Sequence, residues 1–430
     1  MKRSATIISA PDLAEPRTGW ILFAGAALLI AITVLPLIAS GHPRPGPVDF
    51  HHIWTAGHMW ASGDSPYDPS RAKLFAEHGL AHAYAEPAPF FYPPHSIALF
   101  APLGSLQPGA ASIAFSLFNA LAFAAASVLG ADIVRSAGAR GSRLAWTSIH
   151  AIVLAGGWTA TAVIFFHNIA TLAVYAGLLA MLRGVQTGRG AYIVAGGFFA
   201  LISPQIAVPA ILALLLVRSA RRAAVLAICA VALGSVAGLA PGGLWSSLSL
   251  FLANIGDYAT YPANSHARQS GAGFLALALT GVSLHSAGLL VACAASLAAL
   301  AAMQTRAGES ETGRALEFAI LSIVAGQFFL PSLSHYYVVT TPALLFLARS
   351  EGAWRMLAAA GALLLMRSLD ILGASQAVFG LDPERTPAAS DSVGILLLFA
   401  ASVGAWMRGR APFSGPVPTR ESAEVRASAP

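Results

Sequence analysis

The chain has 430 residues, of which 56% are hydrophobic and 10% are charged, with a formal net charge of +6 and a mean hydropathy of +0.68. Soluble domains carry about 25% charged residues, so this chain lacks the polar surface that a water-soluble protein of its size needs. The composition excludes an ordinary soluble protein, gives no support to nucleic-acid binding, and indicates a polytopic integral membrane protein.

Apolar runs that are long, or nearly long, enough for a spanning helix recur along the chain, since one crossing needs about 20 apolar residues. We interpret the first run as a retained span, because it is long for the apolar region of a signal peptide. The sequence predicts an all-α bundle of about 12 transmembrane helices, with a range of roughly 10–13. The predicted spans are 18–40, 109–134, 144–164, 167–183, 190–203, 206–218, 222–240, 285–304, 315–331, 334–348, 353–372 and 391–408.

The cations lie in clusters at the ends of these spans. If both termini are cytoplasmic, every Arg cluster falls on the cytoplasmic side, as expected because positive charge resists translocation. We therefore predict a multi-pass protein of the plasma membrane, the inner membrane of a bacterium, with one transmembrane domain over 1–411 and a disordered cytoplasmic tail over 412–430. Six of the 25 Lys and Arg residues then lie outside, namely Arg44, Arg71, Lys73, Arg268, Arg367 and Arg385.

Two stretches are ambiguous by hydropathy, and the same charge rule settles both. Segment 93–106 is apolar but short for a crossing, and a crossing there would turn the next Arg cluster outward, so we predict a re-entrant or interfacial segment. The run 190–218 is predicted to form two short halves that break at Ser203-Pro204-Gln205. Backbone freed by such a break is tolerated where protein or a wet cavity satisfies it.

The outer face holds two long loops, 41–108 and 241–284, and these form the candidate active site. Eleven of the twelve histidines fall in outward loops or at outer span ends, with His150 as the exception. Inner loops contain Arg but few other functional groups. Because long ordered loops on a rigid scaffold commonly carry function, we expect the chemistry on the outer side.

The first outer loop opens with Asp49, followed by His51 and His52. Asp49 is flanked by apolar residues near the membrane surface, where partial desolvation is expected to raise its pKa and favour a role as a base. The alternative is a solvated loop acid. Although Asp49 and the two histidines are close in sequence, they lack a zinc-type spacing, so we expect no metal ion and no cofactor.

Short motifs along most of the chain carry a family resemblance. They are Asp49-Phe50 with Gly63 and Pro66-Tyr67-Asp68, Phe91-Tyr92-Pro93-Pro94 with Ala101-Pro102-Leu103 and Asn119, His167-Asn168, Ala195-Gly196 with Pro204-Gln205, and Pro331 to Tyr337 with its His-Tyr pair. In this order and spacing they resemble the glycosyltransferase family 87 enzymes. Those are transferases of the GT-C fold that use a polyprenyl-phosphate sugar, typically polyprenyl-phosphate mannose.

The resemblance implies inverting transfer with one essential carboxylate, for which Asp49 is the predicted general base. A polyprenyl phosphate leaves as a stabilised anion and needs no proton, unlike the leaving group of a glycosidase. The predicted partners are membrane lipid, the polyprenyl-phosphate donor, and a glycolipid, glycan or protein acceptor. Two departures concern the site: Ser203 stands where the family has Lys, and His167 where it has Gln. The leaving phosphate therefore needs another cation.

The remaining site residues are predicted to bind substrate. For several of them a structural role at a turn, or a position among lipid headgroups, is the alternative. The candidates are His51, His52, Tyr67, Tyr92, His167, Asn168, Gln205, Asn264, Arg268, His335 and Tyr336. Arg268 is the predicted cation in a polar loop at the membrane surface, and it would contact the phosphate or the acceptor.

Two other functions stay open at this point. A transporter or flippase for a lipid-linked sugar would favour ionisable residues deep in the spans and repeated half-domains, and neither pattern is evident in the sequence. A catalytically inactive member of the fold is the second alternative, raised by the changes at Ser203 and His167. Retention of Asp49 favours an enzyme.

Overall fold

The computed structural model describes most of the predicted bundle. The first span is largely outside the described residues, as is most of the predicted span 334–348, and the tail 412–430 lies outside them entirely. The described residues are 19–25, 27, 48–80, 89–136, 142–156, 169–260, 271–281, 286–302, 311–330, 339–343, 353–365 and 386–408.

Helices make up the regular structure of the described residues, which contain no strand, so the all-α prediction is confirmed there. Residues 19–25 are also helical. The helices that follow, in chain order, are α1 (Val48–Ala61), α2 (Arg71–Glu77), the 3₁₀ turn η1 (Pro94–Ser96), α3 (Ile97–Gly104), α4 (Pro108–Ser136), α5 (Arg143–Gly156), α6 (Thr171–Thr187), α7 (Gly190–Ala200), α8 (Pro204–Leu216), α9 (Arg218–Leu239), α10 (Leu244–Thr260), α11 (Ala272–Thr280), α12 (Ser286–Ala302), α13 (Glu311–Phe329), α14 (Ala353–Leu365) and α15 (Thr386–Arg408).

Among the described residues, α4 and α9 are long and apolar enough to cross a bilayer, with 29 and 22 residues. Their most apolar stretches are only 33% and 22% buried, whereas the core helix of a soluble protein would be mostly buried. Leu121 on α4 and Leu233 on α9 are more than two-thirds exposed. Such apolar surface belongs in lipid rather than in water. The other described apolar helices are shorter, so the count of twelve crossings stays a prediction.

The break predicted at Ser203-Pro204-Gln205 is present. Helix α7 ends at Ala200, and α8 begins at Pro204, whose missing N–H is harmless in a first helical turn. Segment 93–106 forms η1 and α3, which are short as expected, while re-entry into the membrane stays a prediction. The outer loop predicted at 241–284 instead contains α10 and α11. Leu248 and Phe251 explain α10, because they lie on one helical face and pack against the core.

Glycines allow close helix crossings in several places. Gly57 of α1 faces Gly104 of α3, and a methyl group at either would overlap the backbone of the other helix. Gly177 of α6 and Gly196 of α7 approach in the same way across the turn at Gly188. Small residues at helix contacts are the usual means of close packing in membranes, where no hydrophobic effect drives helices together.

The two ends of the bundle differ in charge. At one end the last turn of α6 joins the last turn of α4, because Arg183 donates to the Ser136 hydroxyl and Gln186 donates to the Ile133 carbonyl. The starts of α7 and α9 meet at this end too, where Gly190 lies against Ala223. Three of the Arg clusters, those that include Arg135, Arg183 and Arg218, therefore share one end of the bundle. Its orientation toward the cytoplasm stays a prediction.

The opposite end carries η1 and the short helices of the first outer loop. There α9 packs against η1, since a methyl group at Gly238 would overlap Pro94. The Trp60 indole at the end of α1 donates to the Ala237 carbonyl of α9 at 3.2 Å. The end of α7 is at the same place, because His95 donates from Nε2 to the Phe198 carbonyl at 3.1 Å. Helix α1, with Asp49, is therefore attached to the end of the bundle away from the Arg clusters.

Candidate active site

Helix α1 positions the predicted base. Asp49 lies in its first turn, where the helix dipole favours a negative charge, and its side chain is half-buried. His52 follows three residues later, so the carboxylate and the imidazole project from neighbouring positions on one face of α1. His51 projects elsewhere and is buried. Asp49 and His52 are thus placed side by side by the helix.

Arg71 brings a cation to this face of α1. Arg71 is the first residue of the short helix α2, and it is only 4% exposed. Its Nη1 donates to Nδ1 of His52 at 3.0 Å and to the Thr55 hydroxyl at 3.2 Å. The guanidinium carbon also lies 5.7 Å from the ring centroid of Phe75 and 5.8 Å from that of Phe90, which are cation–π distances.

The contact with Arg71 defines the hydrogen-bonding state of His52. A guanidinium can only donate, so Nδ1 of His52 must accept, and the ring is then neutral with its proton on Nε2. His52 is therefore a donor through Nε2 as well as an acceptor through Nδ1. Thr55 acts in the same chain of contacts, since its hydroxyl accepts from Arg71 and donates to the His51 carbonyl at 2.9 Å.

Arg71 keeps its charge in spite of its burial. Desolvation lowers the pKa of Arg71 to about 10, which still leaves the guanidinium protonated at neutral pH. A charge removed from water interacts more strongly with a nearby anion, because the surroundings screen it less. The site therefore holds a preorganised cation close to a carboxylate-bearing helix turn, an arrangement suited to an anionic ligand.

Tyr67 and Tyr92 hold the loop around this cation together. The Tyr67 hydroxyl donates to the Tyr92 carbonyl at 2.9 Å, and its ring lies 5.1 Å from that of Phe251. Burial raises the pKa of Tyr67 well above its ordinary value, so the phenol stays protonated and keeps donating. Asn254 of α10 donates to the Tyr67 carbonyl at 3.0 Å and to the Phe90 carbonyl at 3.1 Å. Substrate binding by either tyrosine stays a prediction.

Helix α3 fixes α1 from the other side. The Trp54 indole donates to the Leu106 carbonyl, and Nδ1 of His58 donates to the Gly104 carbonyl, both at 2.9 Å. These contacts join the end of the 93–106 segment to α1 at the Gly57–Gly104 crossing. The position of Asp49 is thus set by a framework of packed helices and side-chain hydrogen bonds.

Gln205 is half-buried in the first turn of α8, close to the chain reversal that follows α7. A cluster of buried polar residues lies close to the start of α8. The Gly271 N–H donates to the Ser392 hydroxyl at 2.8 Å, beside Gln327 and Asp391, which are both buried. Gly326 of α13 packs near the Gln205 carbonyl and joins this group to the start of α8.

The other predicted site residues cannot be compared with the structure. His167, Asn168, Asn264, Arg268, His335 and Tyr336 lie outside the described residues. Within the part of the chain that the structure describes, no group of three or more His, Cys, Asp and Glu side chains is arranged to hold a metal ion.

Sequence reasoning did not predict the burial of Arg71 and Asp391 or the contacts of Asn254. Arg71 was counted among the outer cations, but its burial depends on how α2 packs against α1. Asn254 falls in a predicted loop, and it contacts Tyr67 and Phe90, which precede it in the chain by 187 and 164 positions. Asp391 is the first residue of a predicted span, and its burial at 2% exposure shows only in the folded bundle.

A sequence model of glycosyltransferase family 87 matches residues 90–332, which is more than half of the chain. The chain belongs to glycosyltransferase family 87. It is therefore a glycosyltransferase and an enzyme. No curated protein and no solved structure matches the chain. The family match begins at Phe90, so it includes η1 and the bundle from α3 to α13, while Asp49 and Arg71 precede it.

Proposed function

We propose that this family 87 enzyme transfers a sugar, mannose as the first candidate, from a polyprenyl-phosphate donor to a hydroxyl acceptor on the outer side of the membrane. The reaction inverts the anomeric carbon, Asp49 is the general base, and Arg71 is the cation that stabilises the leaving phosphate. The observation that carries this proposal is the buried Arg71 guanidinium, which binds His52 one helical turn from Asp49.

A single carboxylate is sufficient for the chemistry. The acceptor oxygen forms a bond to the anomeric carbon while the bond from that carbon to the phosphate oxygen breaks. The electron pair leaves with the phosphate, and the acceptor proton passes to Asp49. Because the phosphate departs as a stable anion, no second carboxylic acid is required, in contrast to glycoside hydrolysis.

The leaving phosphate requires positive charge where its negative charge increases. Preorganised donors in a site shielded from water supply such stabilisation without reorganisation during the reaction. Arg71 fits this role, since it is charged, buried and oriented by two hydrogen bonds and two aromatic rings. It supplies the cation that the family Lys would supply at Ser203, which here is a buried residue between α7 and α8.

His52 adds a neutral donor to the same face. With Nδ1 accepting from Arg71, the proton of the neutral ring is on Nε2, and we propose that this N–H donates to a phosphate oxygen or a sugar hydroxyl in the substrate complex. A donor that stays neutral leaves Asp49 as the group that accepts a proton. The roles of base, cation and neutral donor are thus divided among three side chains on α1 and α2.

The test is sugar transfer in membranes that contain the full chain, with radiolabelled polyprenyl-phosphate mannose as donor. Asp49→Asn is compared with wild type and with Asp64→Asn, which changes an exposed carboxylate in the same loop. We expect label to reach a lipid or polymer with wild type and with Asp64→Asn. The Asp49→Asn variant should lose transfer by a factor of about 10² or more, the contribution of a positioned general base.

Transfer by Asp49→Asn at the wild-type rate would overturn the base assignment and move the base elsewhere on the outer face. Absence of transfer by all three proteins, each inserted and folded, would overturn the proposed donor. Hydrolysis of the donor without transfer would also count against the acceptor chemistry, because it would show that water reaches the anomeric carbon in preference to a hydroxyl acceptor.

A further inference from the structure

An open groove with a volume of about 900 Å³ lies between α7 and α9, beside the last turn of α6. Its walls are mostly small or aliphatic side chains. The side chains that form its apolar walls include Ala191, Val194, Ala195, Ala223, Leu226 and Ala230. A groove of this kind on a membrane helix bundle accepts an extended apolar chain.

The two ends of the groove differ in polarity. Ser219 and Arg222, in the first turns of α9, line one end, together with Gly188 and Gly190 of the turn before α7. Phe198 and Ala230 line the other end. Since a helix rises about 1.5 Å per residue, the apolar part from Arg222 to Ala230 is roughly 12 Å long. A polar, cationic end followed by an apolar channel matches a lipid with an anionic headgroup.

Other cations surround the polar end, but they are placed differently. Nε of Arg221 donates to the Leu215 carbonyl at 2.8 Å, which holds this side chain at the junction of α8 and α9. Arg218 is exposed and does not line the groove. Arg222 is the Arg of this cluster whose side chain borders the groove. It is therefore the residue placed to meet a phosphate at the groove mouth.

The polar end of this groove is distant from the candidate active site, whereas its apolar end at Phe198 contacts His95 of η1. On α9 the active-site end is marked by Gly234 and Gly238, which pack against His95 and Pro94 of η1. From Arg222 to Gly238 the helix rises roughly 24 Å at 1.5 Å per residue. A donor phosphate bound near Arg71 would thus lie at the other end of α9 from Arg222.

We propose that the groove binds one anionic phospholipid, with its phosphate at Arg222 and Ser219 and an acyl chain along the small side chains of α7 and α9. Charge complementarity selects the occupant, since the Arg-rich end of the bundle attracts an anionic headgroup. The lipid comes from the leaflet that this end faces, which the distribution of Arg predicts to be cytoplasmic. The site stands independently of the proposed sugar donor.

The test uses the full chain, purified in a mild detergent, and native mass spectrometry after addition of lipid. Phosphatidylglycerol and phosphatidylcholine with identical acyl chains are the probes. Ala195→Phe fills the groove from an exposed position, and Ala232→Phe, also exposed but outside the groove, is its control. Arg222→Gln removes the cation at the mouth, and Arg218→Gln removes an exposed cation on the same helix that does not line the groove.

We expect wild type to retain phosphatidylglycerol in preference to phosphatidylcholine, and Ala195→Phe to lose this bound lipid while Ala232→Phe keeps it. Arg222→Gln should lower the preference for the anionic lipid about fivefold, the contribution of one cation near a membrane surface, and Arg218→Gln should lower it less. Three results would overturn the proposal: equal retention by Ala195→Phe and Ala232→Phe, equal retention of the two lipids by wild type, or displacement of phosphatidylglycerol by an equal amount of polyprenyl phosphate.

Discussion

Replacement of Arg71 by Gln separates the function of this cation from its structural contribution. Gln keeps an N–H donor within the reach of α2 but removes the positive charge. Arg71→Lys keeps the charge but lacks the planar fork that bridges His52 and Thr55. Lys73→Gln, on the same short helix but exposed, is the control for loss of one positive charge from this loop.

The structure predicts a moderate loss of stability in Arg71→Gln. Burial lowers the pKa of Arg71 from 12.5 to about 10, which corresponds to a cost of about 3 kcal/mol for keeping the side chain charged. Opposing this cost, each hydrogen bond from a charged donor contributes roughly 1.5–3 kcal/mol. Cation–π contacts with two rings add about 1–2 kcal/mol. The two hydrogen bonds and the ring contacts exceed the cost, so we expect Arg71→Gln to lower the free energy of unfolding by about 1–5 kcal/mol.

The effect on catalysis is expected in the folded enzyme, independently of the loss of stability. Loss of one preorganised group that stabilises the developing charge lowers kcat by roughly 10²–10³. Initial rates of mannosyl transfer at several donor concentrations, together with a thermal unfolding midpoint, would measure both effects. Arg71→Lys should recover part of the rate, and Lys73→Gln should retain nearly all of it. A folded Arg71→Gln enzyme with wild-type kcat and KM would refute the phosphate role. A rate loss equal to that of Lys73→Gln would show that Arg71 acts only through the overall charge of the loop and makes no specific contact with the phosphate.

Two further predictions concern the framework and its pH dependence. Gly57→Ala places a methyl group against the Phe100 carbonyl and should destabilise the protein by about 1–3 kcal/mol. Gly109→Ala, which has open space around it, should stabilise the protein slightly. Thermal unfolding midpoints in detergent measure both effects, and a lower midpoint for Gly109→Ala than for Gly57→Ala would show that the helix crossing tolerates the methyl group. Burial lowers the pKa of His95 from 6.5 to about 4, so the unfolded chain takes up this proton first and stability should fall as the pH drops from about 6.5 toward 4. His95→Gln, which can keep the hydrogen bond to Phe198, should flatten this part of the pH profile, and an unchanged slope would contradict the assignment.

Local signals were sufficient for several features of the fold. The break between α7 and α8 follows from Pro204 at a helix start and from the Arg clusters at both ends of 190–218. The shared end of three Arg clusters follows from a rule about translocation, which depends on charge and not on packing. The sequence analysis predicts a loop where α10 lies, because the polar residues of this segment are typical of a loop. Its apolar residues stabilise a helix only through their contacts with the core.

The candidate site was predictable only in part, because its decisive property is burial. The sequence predicted Asp49 as the base, but its position beside His52 requires the helix α1, which lies in a segment that was predicted to be a loop. Arg71 could not be ranked above Arg268 or Lys73 by charge, because all three count equally as outer cations. A local signal was nevertheless present: Arg71 and Phe75 are four residues apart and share the buried face of α2, while Lys73 lies on its exposed face. A cation on the apolar face of a short amphipathic helix loses its hydration when the protein folds, which costs free energy. Such a buried charge is typical of sites where it stabilises an anionic ligand or transition state.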